Sequence, residues 1–252
     1  MKLSLVTGKV ERDLEFRRLI ASVIEHTKTP SWELVISDAS LTAYVAAHPN
    51  IRVLHENPRQ THSRGYNMAF KAARGEYILW LNDDAEVCEG YDVEAVSFME
   101  AHPAIGLGAL HYSENDGPFH VNSAWGCMYA NFGIFRKSVG EQVGYYDEDL
   151  IMYGADNAFA LKVLMSDFGV ADIPKARIIH HSAKDNIRNA NQAHRLIDNR
   201  TLSAKYMPFK QYWRKAYQKH RLDGGGDAWS HGVAPMTAQQ RWAERARAAL
   251  RK

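Results

Sequence analysis

Cysteine is scarce: Cys88 and Cys127 are the only two among 252 residues. Their separation is not metal-ligand spacing, and two thiols give no disulfide framework, so a reduced, cytoplasmic setting is expected. Long apolar stretches are missing as well. No window approaches the roughly 20 apolar residues of a membrane span. The amino terminus, MKLSLVTGKVERD, meets charges too soon for a signal peptide. No glycine-rich phosphate loop stands near the amino terminus, which ranks nucleotidyl transfer low. Internal repeats are absent, and the one low-complexity tract is Gly224-Gly225-Gly226.

What remains is an ordinary globular composition. With 46% apolar residues, a full core forms in one large α/β domain with an appendage, or in two small domains. Net charge is only +2, but it is uneven. From Arg195 onward there are 13 Lys/Arg against four acids, a net of +9, whereas the first 194 residues carry a net of −7. Such asymmetry suggests an acidic catalytic body, residues 1–195, and a basic helical extension, residues 196–252, directed at something anionic.

Strand and helix patterns alternate through the first 85 residues. Lys2 to Thr7, Glu33 to Ser37 and Ile51 to His55 read as strands. Phe16, Leu19, Ile20, Val23 and Ile24 mark one face of a helix. A short helix is expected at Leu41 to Ala47 and another at Tyr66 to Ala73. This order argues for a parallel sheet with helices on both faces. Later segments are less regular. Helices are expected at Val93 to Ala101 and Asp156 to Phe168. Strands are expected at Ile105 to Leu110, Tyr129 to Phe135 and Arg177 to His181, with a polar loop over Ser113 to Ser123. Phe209, Trp213, Ala216, Tyr217 and His220 read as a helical stripe, and Thr237 opens a last basic helix reaching about Leu250.

The stretch that organises the chain is GEYILWLNDDAEV, residues 75–87. Tyr77 to Leu81 reads as a strand buried on both faces. Asp83 and Asp84 follow its carboxyl end, where open α/β sheets place ligands. Their side chains point different ways, so one can hold a metal while the other reaches a sugar or ribose hydroxyl. The competing reading is a plain polar loop. Three other features line up with the pair: Asp38 at the end of strand two, Asp156 opening a late helix, and His180-His181 ending the last strand.

This order resembles the family 2 glycosyltransferases of the GT-A fold, across roughly residues 2 to 182. The matching segments are ELVISDAS, SRGYNMAFKAARGEYILWLNDDAEV, ANFGIFRKSVGEQVGYYDEDLIMYGADN and ARIIHHS. The resemblance implies a Rossmann-like, mostly parallel central sheet and a nucleotide-diphosphate sugar as donor. Asp38 would meet the nucleotide base, Asp83 the ribose or donor sugar, and Thr7, Arg64 and Asn67 would complete the donor site, Arg64 at the diphosphate. Asp84, with His180 or His181, would bind Mn²⁺ or Mg²⁺, a donor set of hard oxygens plus one imidazole. Asp156 would be the general base for in-line attack with inversion, and Trp125 and Tyr153 would face the acceptor. One departure touches the acceptor grip. The family's late motif commonly reads Gly-Glu-Asp-x-Asp, and here it is Gly154-Ala155-Asp156-Asn157-Ala158.

Structural roles compete with several of these assignments. Asp38 and Asp156 are good helix caps, Trp80, Trp125 and Tyr129 suit a core, and Asn67 suits backbone stitching. The basic extension has three readings: packing on the body, lying on an anionic membrane surface next to a glycan or lipid-linked acceptor, or tracking DNA whose hydroxylated base is the acceptor. An inactive sugar-nucleotide or nucleic-acid-binding module is the non-enzyme alternative. The expected location is cytoplasmic, with peripheral attachment to the inner membrane face as the variant.

Overall fold

The computed structural model describes residues 1–10, 12–40, 48–115, 117–182, 186–209, 217–223 and 225–231. The helices expected at Leu41 to Ala47 and near Thr237 to Leu250 lie outside these residues. The first half alternates as its periodicity predicts: β1 (Leu3–Lys9), α1 (Asp13–His26), β2 (Trp32–Asp38), β3 (Ile51–His55), α2 (His62–Ala72) and β4 (Tyr77–Leu81). There follow β5 (Ala85–Val87), α3 (Tyr91–Ala101), β6 (Ile105–Glu114), β7 (Asn122–Ala124), β8 (Cys127–Tyr129) and β9 (Gly133–Arg136). The remainder comprises α4 (Lys137–Val143), α5 (Ala155–Leu164), β10 (Gly169–His180), α6 (Asn186–Tyr206), a 3-10 turn (Met207–Phe209), β11 (Tyr217–Arg221) and β12 (Asp227–His231).

The strands form a mixed sheet in the order β11-β12-β10-β6-β9-β4-β1-β2-β3, and β5 also pairs with β10. β4, β1, β2 and β3 run parallel. β9 is antiparallel to both β4 and β6. Two reversals restore direction, so β6 and its parallel neighbour β10 point the same way as β4. The carboxyl ends of β1, β2, β4, β6 and β10 therefore meet along one edge of the sheet. That edge carries the acids and His180.

Alternation along each strand divides the core between two faces. Leu3, Leu5, Leu79 and Leu81 pack with Phe16 and Leu19 of α1 and with Tyr91 and Met99 of α3. Val6, Ile78 and Trp80 pack on the other face with Phe70 of α2 and Phe159 of α5. All five β4 residues are buried, each large side chain contributing about 1.5–3 kcal/mol. Trp80 is core, its indole N–H donating to the Asn131 carbonyl at 3.0 Å. Gly133 of β9 makes room for it: a Cβ there would lie 2.2 Å from the indole.

Several expectations are corrected. The strand expected over Tyr129 to Phe135 is two strands, β8 and β9, separated at Ala130–Phe132. The polar loop is shorter than Ser113 to Ser123, because β6 runs to Glu114 and β7 starts at Asn122. The last strand begins at Gly169, not Arg177; Pro174 sits in a register shift between Ile173 and Arg177 that lets one strand continue past it. Tyr217, at the end of the expected helical stripe, begins β11 instead. Its hydroxyl donates to the Leu164 carbonyl, and its strand pairs with β12, which pairs with β10. The boundary expected between residues 195 and 196 falls inside α6, and the β11–β12 hairpin extends the central sheet.

Candidate active site

β4 ends at Leu81, and Asn82-Asp83-Asp84 turns the chain into β5. β5 is antiparallel to β10 with Ala85 opposite His180, and the His181 N–H donates to the Asp84 carbonyl at 2.9 Å. This pairing sets His180 Nε2 3.1 Å from Asp84 Oδ1. His181, one residue on, faces the other way and joins Glu86 at 2.8 Å. Of the two histidines, His180 therefore faces Asp84 and His181 faces Glu86.

Arg12, at the amino end of α1, bridges the pair: its Nη1 lies 3.3 Å from Asp83 Oδ1 and 3.2 Å from Asp84 Oδ2. Burial and the neighbouring Asp84 charge hold the Asp83 carboxyl well above its usual range, against the pull of Arg12. Burial also acts on Asp84, but the hydrogen bond and charge of His180, with Arg12, outweigh it and hold that carboxyl low. Asp83 Oδ2 and His180 Nδ1 are buried without a hydrogen-bond partner. Among the described residues no three His, Cys, Asp or Glu side chains are gathered for a metal ion. The two-residue set of Asp84 and His180, beside an orphaned carboxylate oxygen, nevertheless fits a hard divalent ion that would take its other ligands from outside the protein.

At the β1–β2 end, Asp38 is buried, accepts the Ser40 N–H at 3.0 Å, and faces His55 Nδ1 at 3.5 Å. It therefore holds the turn after β2 while one oxygen faces the exposed His55. Lys9, opposite Asp38 in the register, is 1% exposed and reaches Ser40 Oγ, Asp13 at 3.4 Å and Asp38 at 3.9 Å. Thr7, expected at the donor, is fully buried and its hydroxyl donates to the Gly8 carbonyl at 3.1 Å, which shapes the strand end instead. Arg64 is directed to Glu148 at 3.5 Å rather than to the aspartate pair. Asn67 is likewise engaged within the protein. Its amide clasps the Tyr146 backbone in both directions, at 3.0 and 2.9 Å, and donates to Glu148.

Asp156 stands in the first turn of α5, after Gly154 at φ 81°. Its Oδ1 accepts the Asn157 N–H at 2.8 Å. Burial pushes the carboxyl up to about 6, against that hydrogen bond. The Asp156 charge acts on the Tyr112, Tyr129 and Tyr146 hydroxyls, all held above the usual phenol range chiefly by burial. Tyr112 is the link across the site: its ring lies 6.1 Å from that of His180, and its hydroxyl accepts from Asn122 at 2.6 Å. Tyr112 therefore stands beside the β4–β10 corner, and its hydroxyl also feels the charge of Asp156. Ala155 and Ala158, where the family's late motif carries acids, are both in the core.

Trp125 turns β7 into β8 at φ 53° and packs partly on the core. Tyr153 donates its N–H to Asp198, and the Arg195 guanidinium lies 5.9 Å from its ring. Sequence reasoning missed Arg12, Lys9 and Tyr112. The first two lay in the run KVERD, which reads as a solvated charged stretch, and Tyr112 lay between the strand expected to end at Leu110 and the polar loop expected from Ser113.

A search of curated proteins gave no match. Solved structures share the fold at low identity. S. aureus TarS 1-349 in complex with UDP-GlcNAc aligns with TM-score 0.59 at 15% identity, over 74% of this chain and 60% of that one. GalNAc-T7 with UDP, GalNAc and Mn²⁺ gives 0.63 at 12%, over 82% and 51%. The mannosyltransferase PcManGT from Pyrobaculum calidifontis, with GDP-Man and Mn²⁺, gives 0.60 at 16%, over 84% and 64%. The chain spans less than two thirds of the length of each of these three. The architecture is GT-A: a mostly parallel sheet between helices, with acids at the tip of β4. The family described as glycosyl transferase family 2 matches residues 11–155, more than half of the chain, and the chain belongs to that family.

Proposed function

We propose that this chain is an active, inverting glycosyltransferase that moves a sugar from a nucleotide-diphosphate sugar to an acceptor hydroxyl with Mn²⁺ or Mg²⁺. The observation that carries the reading is the 3.1 Å contact of Asp84 with His180 at the strand tips, together with Asp156 in the first turn of α5, whose affinity for a proton burial raises to about 6. A base with that affinity is ionised at neutral pH yet still a competent proton acceptor. Asp84 and His180 would hold the ion, which when bound neutralises the charge growing on the departing diphosphate. Asp83, with its free oxygen, orients a hydroxyl of the ribose or donor sugar. Asp38 and Lys9 border the nucleotide, and Arg12 turns from the aspartates to the phosphates. Asp156 takes the acceptor's proton, and Trp125 and Tyr153 line the acceptor side. With no enzyme nucleophile in this scheme, a single displacement inverts the anomeric carbon.

The acceptor we favour is a glycan or lipid-linked sugar reached at an anionic surface. What supports this is α6, whose exposed Leu196 and Ile197 neighbour Arg195 and Arg200. No described helix is long and apolar enough to cross a membrane. The test is a thermal-shift screen of nucleoside diphosphates and their sugars with and without Mn²⁺, followed by nucleotide-release assays. Stabilisation by one nucleotide only with metal, and turnover abolished by Asp156→Asn, is the expected result. Indifference to every nucleotide would leave an inactive fold.

A further inference from the structure

We infer that Asp198 of α6 is the positioning residue for the base, holding from outside the family-matched region the loop that aims Asp156. This rests on Asp156 as base. Asp198 is completely buried. Its two carboxylate oxygens accept three successive backbone N–H groups, Ile151 at 2.8 Å, Met152 at 2.9 Å and Tyr153 at 2.9 Å. Consecutive amides converging on one anion form a nest, and without the anion these three donors lose their shared acceptor. The nearby imidazole, His62, is neutral, because burial lowers its proton affinity to about 4. The carboxylate charge is therefore met by the loop's own amides.

The same loop is gripped from α2, where the His62 N–H donates to the Ile151 carbonyl at 3.0 Å and Ser63 Oγ donates to the Leu150 carbonyl. Beyond Tyr153 only Gly154 and Ala155 separate the nest from Asp156. At Gly154, Leu202 of α6 packs so closely that a Cβ would lie 3.1 Å from it. α6 therefore sets both the direction and the height of the turn that delivers the carboxylate. Positioning errors near 1 Å cost on the order of 100-fold in rate. Asn at position 198 keeps one acceptor and turns an N–H₂ toward backbone donors, so it opens the nest without emptying the site.

The experiment compares the parent, Asp198→Asn, Asp156→Asn and the control pair Lys205→Met/Tyr206→Phe. The control unfastens the far end of α6, where Lys205 and Tyr206 hold Asp147. Nucleotide release from UDP-GlcNAc and GDP-mannose with Mn²⁺, donor affinity, and amide exchange over residues 150–154 are measured on each. We expect Asp198→Asn to lower kcat roughly 100-fold, leave the donor Kd within about twofold and speed exchange at Ile151, Met152 and Tyr153. The control should keep kcat within about fivefold at equal or greater loss of Tm. Should Asp198→Asn not fold, Asp198→Ser takes its place. Unchanged exchange, or kcat losses in Asp198→Asn and the control that track Tm alike, overturns the inference. If the parent and Asp156→Asn release nucleotide equally fast, the reading of Asp156 itself fails. An active parent with a dead Asp156→Asn and a near-parent Asp198→Asn sinks only the positioning role.

Discussion

Asp156→Asn should remove activity and stabilise the protein at the same time, in a pH-dependent way. The carboxyl rises from 3.8 in the unfolded chain to about 6 in the fold because it is buried. The native state then binds more protons than the unfolded state between those values. Stability of the parent accordingly falls as pH rises from about 4 to about 6 and levels off above. Two units correspond to about 3 kcal/mol of native-state strain at pH 8. Because the side chain is only partly buried by surface area, and because a buried amide needs partners of its own, the recoverable part is nearer 1–2 kcal/mol, roughly 2–8 °C in Tm for a domain of this size. Asn keeps an oxygen for the Asn157 N–H but has no charge to bury. Melting curves of the two proteins at pH 4 and pH 8 measure this directly: Tm values should converge at pH 4 and separate at pH 8 with the variant higher. In the parent, the rate should fall about tenfold per pH unit below about 6, and the variant should lose roughly 100- to 10,000-fold. A Tm difference independent of pH, or a variant within a few-fold of parental turnover, would refute the argument that an ionised, buried carboxylate does the work.

Three further outcomes follow from the site. His180→Ala should weaken Mn²⁺-dependent nucleotide binding by about 10- to 100-fold, while His181→Ala, which only frees Glu86, should stay near the parent; calorimetric titration separates them, and equal losses would return the ligand choice to both. Arg12→Ala removes the cation shared by Asp83 and Asp84, so in chelator it should melt below the parent and in Mn²⁺ regain more than the parent does; equal metal responses would show that the guanidinium and the ion do not compete for the aspartates. If α6 meets an anionic surface, the protein should sediment with phosphatidylserine vesicles in low salt and release as salt rises, and Leu196→Asn/Ile197→Asn should lower retention; retention on duplex DNA with a steep salt slope and none on vesicles would favour a DNA acceptor.

Local pattern was enough where burial and propensity agree. The YILWL run declares a strand covered on both faces, and Phe16, Leu19, Ile20 and Val23 declare the buried face of α1, because a period of two or 3.6 follows from backbone geometry alone. It failed where a distant partner decides. Tyr217 carries helical spacing with Phe209 and His220, yet starts a strand because β12, itself paired with β10, offers an edge to it. Only Arg177 to His181 reads as a strand, yet the strand starts at Gly169 because a register shift absorbs Pro174. The resemblance puts Asn67 and Thr7 at the donor, and the fold adds partners the sequence did not show: the Tyr146 backbone for Asn67 and the Gly8 carbonyl for the Thr7 hydroxyl.

Residue order alone therefore carried the acids to strand ends, with Asp156 at a helix start. Those features depend on neighbours in the chain, whose hydrogen bonds and side-chain alternation are local. Which histidine faces Asp84, that Arg12 joins the aspartates, that Tyr112 stands beside His180, and that Asp198 holds the loop before Asp156 were all settled by packing. Each depends on groups tens of residues apart being brought within a few ångströms, and only the register of β5 on β10 and the docking of α6 supply that constraint.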